Sequence, residues 1–236
     1  MARGSIRLSS VAVAIVCKIP APGQSKTRLS PQLTPEQCAA LSAAFIGDTA
    51  RTVAGLPGVT PYALYTPRGP EDALRALLPP GFSLMAQAEG ELGARLIRGV
   101  EDLLKQGHAG VVLIGADSPT LPLAILQQAV AAVRGDDNVV LSPAQDGGYV
   151  LIGLSQPHAR LFQDIPWSTG EVYRATLDRA REIGLPAVPL PGWYDVDDPP
   201  SLQMLEDELA GRAPAFVTGA DAPATREFLR KRQPQR

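Results

Sequence analysis

The sequence predicts a single α/β domain built on a largely parallel β-sheet. Its 236 residues, 45% of them hydrophobic, are enough to bury one sizeable core. Short apolar runs alternate with segments of helical periodicity along most of the chain, which is typical of β-α-β units. One pair of runs lies too close together for a helical crossover, so we expect a mixed sheet.

Six apolar runs are predicted to be strands. They span residues 11–17, 60–65, 82–86, 111–115, 139–142 and 149–153. The last two are separated only by a short segment containing Asp146-Gly147-Gly148, and we expect them to pair antiparallel through that turn.

The first helix carries the strongest local signals. Thr34 is a candidate N-cap, Pro35 occupies the first helical position and Gln37 completes a capping box. The helix should run to about Ala54 and stop at Gly55. Further helices are predicted at residues 69–78, 92–106 and 122–133 and, behind a capping box formed by Ser168 and Glu171, up to residue 183.

Composition and charge narrow the class of protein. A net charge of -2 and a pI near 5.7 provide no field that would hold nucleic acid, so a small phosphorylated ligand fits better. Two cysteines without Cys-x-x-Cys spacing predict a reduced, cytoplasmic setting. No apolar run approaches the roughly 20 residues of a membrane span, and the first run is interpreted as a strand rather than a signal peptide.

The C-terminal region differs in composition from the rest of the chain. We expect one nucleotide-binding transferase domain at residues 1–209 and a partly flexible extension at 210–236, rich in Ala, Pro, Gly and basic residues. A solvated or loosely docked tail is the favoured interpretation, with a basic contact site for a partner as the alternative.

A basic loop follows the first predicted strand. Pro22 restricts φ, Gly23 allows the backbone to approach a ligand closely, and Lys18, Lys26 and Arg28 supply positive charge. This pattern predicts a phosphate-binding loop, although its spacing does not match a Walker motif. The alternative is an ordinary surface loop with scattered charges.

Acidic residues are expected at the same edge of the sheet. Asp117 follows a buried strand, and in an extended Asp195-Val196-Asp197 both acids point the same way while Val196 points into the core. Carboxylates there suit Mg²⁺ or Mn²⁺, whereas the alternative for Asp117 is a turn cap. Asp198 precedes two prolines and is predicted to be the N-cap of a last helix.

The turn at Asp146, Gly147, Gly148 and Tyr149 is the candidate acceptor side. Two glycines allow close approach and Tyr149 offers a flat face, but a tight hairpin with a core tyrosine explains the pattern equally well.

The remaining histidines and tryptophans are assigned structural roles. His108 and His158 have no carboxylate or cysteine close in sequence and are predicted to be solvated. Trp167 and Trp193 are predicted to be packing anchors.

Five motifs, taken in order, resemble a bacterial family of small transferases. They are Lys18-x-Pro-x-Pro-Gly-x-x-Lys26-Thr-Arg28-Leu, Gly115-Ala-Asp117-Ser-Pro, Pro143-Ala-x-Asp146-Gly-Gly-Tyr149, Pro166-Trp167-Ser168 and Trp193-Tyr-Asp195-Val-Asp197. The family is the glycosyltransferase-like group, also described as radical-SAM/selenodomain-associated transferases, of the nucleotide-diphospho-sugar transferase superfamily. More distantly, the chain is similar to phospholactate and molybdenum cofactor guanylyltransferases. The match spans residues 11–205.

This resemblance implies a three-layer α/β/α fold of the GT-A type, with a nucleotide under the first strand's loop. It implies a divalent ion held by Asp117 and by either Asp195 or Asp197, which the sequence does not separate. It also makes Glu91 and Arg95 candidate nucleotide-binding residues, although the family pattern has Asp where this chain has the longer Glu91.

Two transfer reactions use such a fold. In nucleotidyl transfer a small anionic acceptor attacks a nucleoside triphosphate, and Lys26 and Arg28 would clamp the β- and γ-phosphates while Asp146 orients the acceptor. In glycosyl transfer the donor is a nucleotide-sugar, and a metal alone can stabilise the leaving diphosphate. The basic loop favours nucleotidyl transfer with Lys26, Asp117 and Asp146 as catalytic residues; a non-catalytic nucleotide-binding protein is a further alternative. The oligomeric state is left open, a homodimer included.

Overall fold

The computed structural model describes residues 10–30, 32–212 and 219–232. The strands are β1 Val11–Lys18, β2 Val59–Thr66, β3 Ser83–Ala86, β4 Gly110–Gly115, β5 Val139–Pro143, β6 Tyr149–Leu154 and β7 Ala187–Pro189. The α-helices are α1 Pro35–Ala54, α2 Glu71–Arg75, α3 Leu92–Lys105, α4 Leu123–Ala132, α5 Val172–Glu182, α6 Pro199–Leu209 and α7 Pro223–Arg232.

The strands form one mixed sheet of order β3-β2-β1-β4-β6-β5-β7. β1 is parallel to both β2 and β4, and β2 is parallel to β3. β6 runs antiparallel to β4 and to β5, as the short connection between β5 and β6 predicts, and β7 is parallel to β5. Because β1 and β4 are parallel neighbours, the loop after β1 and the turn after β4 emerge at the same edge of the sheet.

Each face of the sheet packs against its own helices, which confirms the three-layer α/β fold. On one face Val13 and Ile15 of β1 pack with Ile46 of α1 and Leu126 of α4, all at most 1% exposed. On the other face Ala14 packs with residues of α3 and α5. The alternation along β1 follows from the two-residue period of a strand buried on both sides.

Local sequence signals set the ends of two helices as predicted. At α1 the Thr34 hydroxyl accepts a hydrogen bond from Gln37 N, the Gln37 side chain accepts one from Thr34 N, and Gly55 is the C-cap. At α6 the Asp198 carboxylate accepts a hydrogen bond from Ser201 N. Such caps satisfy backbone N–H groups that have no partner within the helix.

Two predicted elements differ in the structure, and one strand was not predicted. The capping box at Ser168 and Glu171 is wrong: Ser168 has φ 63°, and the Thr169 hydroxyl makes the turn by accepting from Glu171 N and donating to Pro166 O. Helix α2 is shorter than the predicted 69–78. Strand β7 was not predicted, because three residues ending in proline give too weak a pattern.

The C-terminal residues 219–232 are docked rather than loosely attached. The Asp48 carboxylate of α1 is fully buried and accepts hydrogen bonds from Ala224 N and Thr225 N, at 3.0 and 2.8 Å, in the first turn of α7. Leu229 joins a core cluster with Leu41. The structure therefore differs here from the expected solvated or loosely docked tail. Residues 213–218 and 233–236 lie outside the described part, and a domain boundary at 209 stays a prediction.

Both histidines have partners that their sequence neighbourhoods do not reveal. His108 Nδ1 lies 3.1 Å from Ser10 Oγ and its Nε2 lies 2.9 Å from the Tyr62 hydroxyl. His158 Nε2 contacts the Asp137 carboxylate at 2.9 Å. Both rings remain partly exposed, and the fold brings to them partners that are distant in sequence.

Cys17 and Cys38 are buried free thiols. Among the described residues, no helix is both long and apolar enough to cross a bilayer.

Candidate active site

The loop after β1 is folded back on itself by local hydrogen bonds. Ala21 O accepts from Gln24 N and Ser25 N, while Ala21 N donates to the Ser25 hydroxyl. Gly23 has φ 72°, a conformation that a side chain disfavours. The tight turn delivers Lys26 back over the ends of β1 and β4.

Lys26 is the central residue of the site. It precedes the 3₁₀ turn Thr27–Leu29 and has the left-handed backbone φ of 49°. For a residue with a side chain that conformation costs about 1–2 kcal/mol, so the surrounding contacts must offset it. Its side chain is only 5% exposed and its ammonium lies 5.3 Å from the centre of the Phe45 ring.

Three oxygens surround the Lys26 ammonium. Nζ lies 2.5 Å from Asp117 Oδ1 and 2.8 Å from Asp197 Oδ1, and it donates to Val196 O at 2.6 Å. An ammonium has three N–H donors, and all three therefore have protein partners. Burial alone would lower the pKa of Lys26, but the negative charges of both aspartates and the hydrogen bonds with them raise it above its ordinary value.

The acidic segment at residues 195–197 is fixed through its central residue. Val196 is fully buried, as the alternation predicts, and Val196 N donates to Asp117 O at 2.9 Å. This backbone contact holds the Asp117 turn against the strand-like segment. Asp195 and Asp197 therefore flank a residue that cannot move without disturbing the core.

A buried hydrogen-bond network anchors the start of that segment. Trp193 Nε1 donates to Thr120 Oγ1 at 3.3 Å, and Thr120 Oγ1 donates to the Glu208 carboxylate at 2.8 Å. The Tyr194 hydroxyl donates to the same Glu208 oxygen. The network ties the turn after β4 to α6, and it makes Trp193 a packing and hydrogen-bonding anchor.

We call the space around the basic loop the charged cavity; its volume is about 280 Å³. Its charged lining residues are Lys18, Lys26, Arg28, Asp117 and Asp197, joined by Gln24, Ser25, Thr27 and Ser42. Pro22 and Gly23 shape the loop rather than line the cavity. The site thus combines cations with backbone and hydroxyl groups at a strand end, an arrangement suited to a polyphosphate.

Asp195 lies among other carboxylates. Burial, followed by the negative charges of Asp146 and Asp197, raises the pKa of Asp195 to about 6. Within the described ranges, no three His, Cys, Asp or Glu side chains form a preassembled metal-binding group. Mg²⁺ is usually held by one or two carboxylates together with substrate phosphates, so Asp117, Asp195 and Asp197 fit such an ion once phosphate is present.

A second space, which we call the apolar cavity, adjoins the first across Asp117 and has a volume of about 250 Å³. Both cavities also share Val16 and Ala116. Its walls come from β1, β4, β6, α3 and α5 and from the 167–169 turn: Leu92, Leu96, Leu113, Ile114, Gly115, Asp146, Gly148, Tyr149, Ile152, Trp167, Ser168, Thr169 and Val172.

The Asp146 turn forms one rim of the apolar cavity. Asp146 Oδ1 accepts a hydrogen bond from Gly148 N at 2.8 Å, which fixes the carboxylate. Gly147 has φ 89°, and a Cβ there would overlap the backbone of Gly170. Tyr173 N donates to Gly147 O at 2.9 Å, so the turn is packed against the start of α5.

Tyr149 lines the apolar cavity, and its hydroxyl makes no hydrogen bond with the described residues. Its ring meets that of Trp167 edge to face, with centroids 6.4 Å apart. The hydroxyl is shielded from solvent and has no hydrogen-bond partner among the described residues, and burial raises its pKa. A buried hydroxyl without a partner is costly unless a ligand or water satisfies it.

The structure does not bring Glu91 or Arg95 to either cavity. Glu91 is exposed at the N-cap of α3 and lines a separate cavity together with Phe162. Arg95 Nη1 donates to Gln87 Oε1 at 2.9 Å. Glu91 and Arg95 stay sequence-based candidates for nucleotide binding.

Several lining residues were missed by the sequence analysis. Ser25 and Thr27 belong to the basic loop and could have been chosen as polar residues of a phosphate loop. Ser42 of α1 carries no such signal, since only the packing of α1 brings it to the cavity; Thr120, which anchors the acidic segment without lining a cavity, carries none either.

Solved structures of transferases share this fold. A Desulfovibrio desulfuricans G20 protein, provisionally named a nucleotide-diphospho-sugar transferase, is 28% identical, with a TM-score of 0.81, over 94% of this chain and 98% of its own. CMP:2-keto-3-deoxy-manno-octonic acid synthetase complexed with CTP has a TM-score of 0.56 at 13% identity, over 87% of this chain and 100% of its own. A Leptospira borgpetersenii cytidylyltransferase has a TM-score of 0.54 at 12% identity, over 94% of each chain.

These neighbours are transferases named for nucleotide donors or products, and they confirm the predicted superfamily fold. No curated protein matches the sequence. The model of a bacterial protein family matches residues 49–169, which is more than half of the 236-residue chain. The chain belongs to that family, described as "Uncharacterized protein conserved in bacteria (DUF2064)".

Proposed function

We propose that the protein is a metal-dependent transferase with a nucleotide-activated donor, and that it transfers the nucleotidyl group of a nucleoside triphosphate. The observation that carries this proposal is the lining of the charged cavity, where Lys18 and Arg28 lie beside Asp117 and Asp197. It joins three segments distant in sequence into one cavity that holds cations and carboxylates together.

The phosphates are proposed to lie in the charged cavity against Lys18 and Arg28. Lys26 already donates to three protein oxygens, so its first role is to hold the two aspartates rather than to clamp the β- and γ-phosphates. In-line displacement at phosphorus requires mainly positioning and neutralisation of charge, and no protein nucleophile is needed.

Asp117, Asp195 and Asp197 are the residues that would hold Mg²⁺ or Mn²⁺ together with the phosphates. A divalent ion bound there would neutralise charge that develops on the leaving pyrophosphate. Asp195 is suited to this role because its carboxylate faces other carboxylates, so a cation relieves their repulsion.

Asp146, fixed by Gly148 N, is proposed to orient the acceptor and to accept its proton. The anionic acceptor expected from the sequence is not carried into this proposal. Asp146 lines the apolar cavity and has no ion-pair partner among the described residues, so its negative charge would repel an anion, whereas the charge of Asp117 is paired with Lys26.

Glycosyl transfer from a nucleotide-sugar is the second candidate. It is favoured by the pairing of Lys26, which leaves Lys18 and Arg28 among the described lining residues for phosphate contacts, a set that suits a diphosphate. The non-catalytic alternative predicts nucleotide binding that changes only modestly in Asp117→Asn.

A thermal-shift series on the full chain tests the donor. We expect a nucleoside triphosphate with Mg²⁺ to raise the melting temperature more than any nucleotide-sugar, because a ligand that binds the native state stabilises it by mass action. Mg²⁺-dependent release of pyrophosphate then tests turnover. Stabilisation by nucleotide-sugars alone, with consumption of the sugar donor, would replace nucleotidyl with glycosyl transfer.

A further inference from the structure

The apolar cavity has walls that select for charge. Asp117 and Asp146 are its charged lining residues, and no Lys, Arg or His is among the described side chains that line it. The Asp117 carboxylate is paired with Lys26 Nζ at 2.5 Å, whereas Asp146 has no ion-pair partner among the described residues, so an anion inside would lie close to one uncompensated carboxylate. The lining of the cavity therefore disfavours the binding of anionic ligands.

The body of the cavity is apolar and large enough for a ring. Leu92 and Leu96 of α3, Ile152 of β6 and Val172 of α5 contribute its aliphatic surface. An engineered apolar cavity of about 150 Å³ binds benzene. The volume here, about 250 Å³, leaves space for a ring with a short substituent.

The groups of the cavity that can accept a hydrogen bond from a ligand hydroxyl are the carboxylates of Asp117 and Asp146. The Tyr149 hydroxyl is buried and has no partner in the described part of the chain. Asp146 lies on the rim and Asp117 at the boundary with the charged cavity. A hydroxyl near the two aspartates can donate a hydrogen bond to a carboxylate while the ligand's apolar body occupies the interior.

We propose that the acceptor is an uncharged, largely apolar alcohol of ring size, bound in the apolar cavity with its hydroxyl towards Asp117 and Asp146. The acceptor role rests on the proposed function. The alcohol oxygen forms a bond to the α-phosphorus of the nucleoside triphosphate, and the bond from that phosphorus to the bridging oxygen breaks. Pyrophosphate leaves with the electron pair, and the hydroxyl proton passes to the Asp146 carboxylate.

Two probes of matched size test the charge preference. 2-Phenylethanol and phenylacetate are titrated into the ¹⁵N-labelled full chain, and binding is followed by the indole N–H signals. The chain has two tryptophans: Trp167 lines this cavity and the separate cavity of Glu91, and Trp193 lines neither, so Trp193 serves as an internal control and the Leu96 variant below distinguishes the two cavities. We expect the Trp167 signal to shift, and the alcohol to bind at least about tenfold more tightly than the carboxylate.

Substitutions of lining residues test whether the preference for the alcohol over the carboxylate arises in the apolar cavity. Asp146→Asn should narrow the difference between the probes, mainly through tighter binding of phenylacetate, whereas the exposed control Asp136→Asn should change neither affinity. Leu96→Phe should fill the cavity and abolish the Trp167 shift. Because a larger side chain at a buried position can unfold the protein, Leu92→Phe is the second variant; Leu92 also lines the cavity but is only half-buried, and its enlargement should weaken alcohol binding at least about threefold.

The titrations are made first without nucleotide and then with saturating Mg²⁺ and nucleoside triphosphate. The first series measures the affinity of each probe for the cavity whether or not the proposed donor binds. Equal or tighter binding of phenylacetate, no binding of either probe in both series, or a shift of Trp193 instead of Trp167 would overturn the acceptor class. Alcohol binding without any binding of nucleotide would leave the cavity's ligand class standing and refute the proposed function.

Discussion

The charged and apolar cavities share Asp117 but are built in opposite ways. Two chain segments, the loop carrying Lys18, Lys26 and Arg28 and the segment ending at Asp197, supply most of the charge of the first. The second takes one to three residues from each of five helices and strands. The difference teaches that a charged site can be recognised from short sequence motifs. An apolar site is formed by scattered hydrophobic residues that the sequence does not distinguish from core residues.

The two cavities also differ in how their polar groups are satisfied. In the charged cavity Lys26 donates to three oxygens, although its two carboxylate partners remain 46% and 41% exposed. In the apolar cavity the Tyr149 hydroxyl has no partner among the described residues. The first cavity is preorganised by contacts already made, whereas the second contains a buried hydroxyl that those residues leave without a hydrogen bond.

The largest effect on ligand binding is expected from a substitution of Asp117, which lines both cavities. Asp117→Asn removes a charge that pairs with Lys26 and that is proposed to hold the metal, and we expect it to weaken Mg²⁺-dependent binding of nucleoside triphosphate by about 100-fold, since each such contact is worth about 4 kcal/mol before desolvation. Isothermal titration calorimetry with and without Mg²⁺ measures it. Asp136→Asn is the matched control, and an affinity within about threefold of wild type for Asp117→Asn would contradict the assignment.

The next effect concerns the stability of the charged cavity. Lys26→Met leaves two carboxylates unpaired and should lower the free energy of unfolding by about 2 kcal/mol, less than for a fully buried pair because both partners are partly exposed. Urea unfolding measures the change, and adding Asp197→Asn should recover part of it.

Lys105→Met provides the control, because Lys105 pairs with Glu101 and Asp102 on the surface at 3.6 and 3.5 Å. It should cost less than about 0.5 kcal/mol. Equal costs for both lysines would show that the Lys26 contacts do not stabilise the site.

A smaller effect is expected from the network that anchors the acidic segment. Thr120→Val removes the acceptor of Trp193 Nε1 and a donor to Glu208, and should cost about 1–1.5 kcal/mol of unfolding free energy. Thr49→Val is the control, because its buried hydroxyl has no partner among the described residues. If both substitutions proved neutral, the network would not be holding the segment.

The smallest effect belongs to the apolar cavity. Tyr149→Phe removes a hydroxyl without a partner and should change the unfolding free energy by no more than about 0.5 kcal/mol. Tyr62→Phe, which removes hydrogen bonds with Gln106 and His108 at 2.9 Å, should cost about 1 kcal/mol. A larger loss for Tyr149 than for Tyr62 in thermal or urea unfolding would mean that its hydroxyl is already satisfied.

Features that depend on residues close in sequence could be predicted, whereas features that depend on distant residues could not. The ends of α1 were predictable because each end is set by nearby residues, the first by Thr34 and Gln37 and the last by Gly55. The Ser168 pattern failed because the same residue spacing also fits a turn made by Thr169. The docking of α7 was not predictable, since Asp48 looks like an ordinary helix-surface acid until the tertiary fold buries it.

The sequence by itself determined the order of helices and strands, the mixed sheet and the convergence of Lys26 with Asp117 and the acidic segment, because parallel strands bring their carboxyl ends to one edge. Only the tertiary structure decided that Asp197 and not Asp195 pairs with Lys26, that Glu91 lines a separate cavity, and that an apolar cavity opens beside Asp117. These outcomes depend on the directions of side chains and on packing between distant segments, which local periodicity and spacing do not encode.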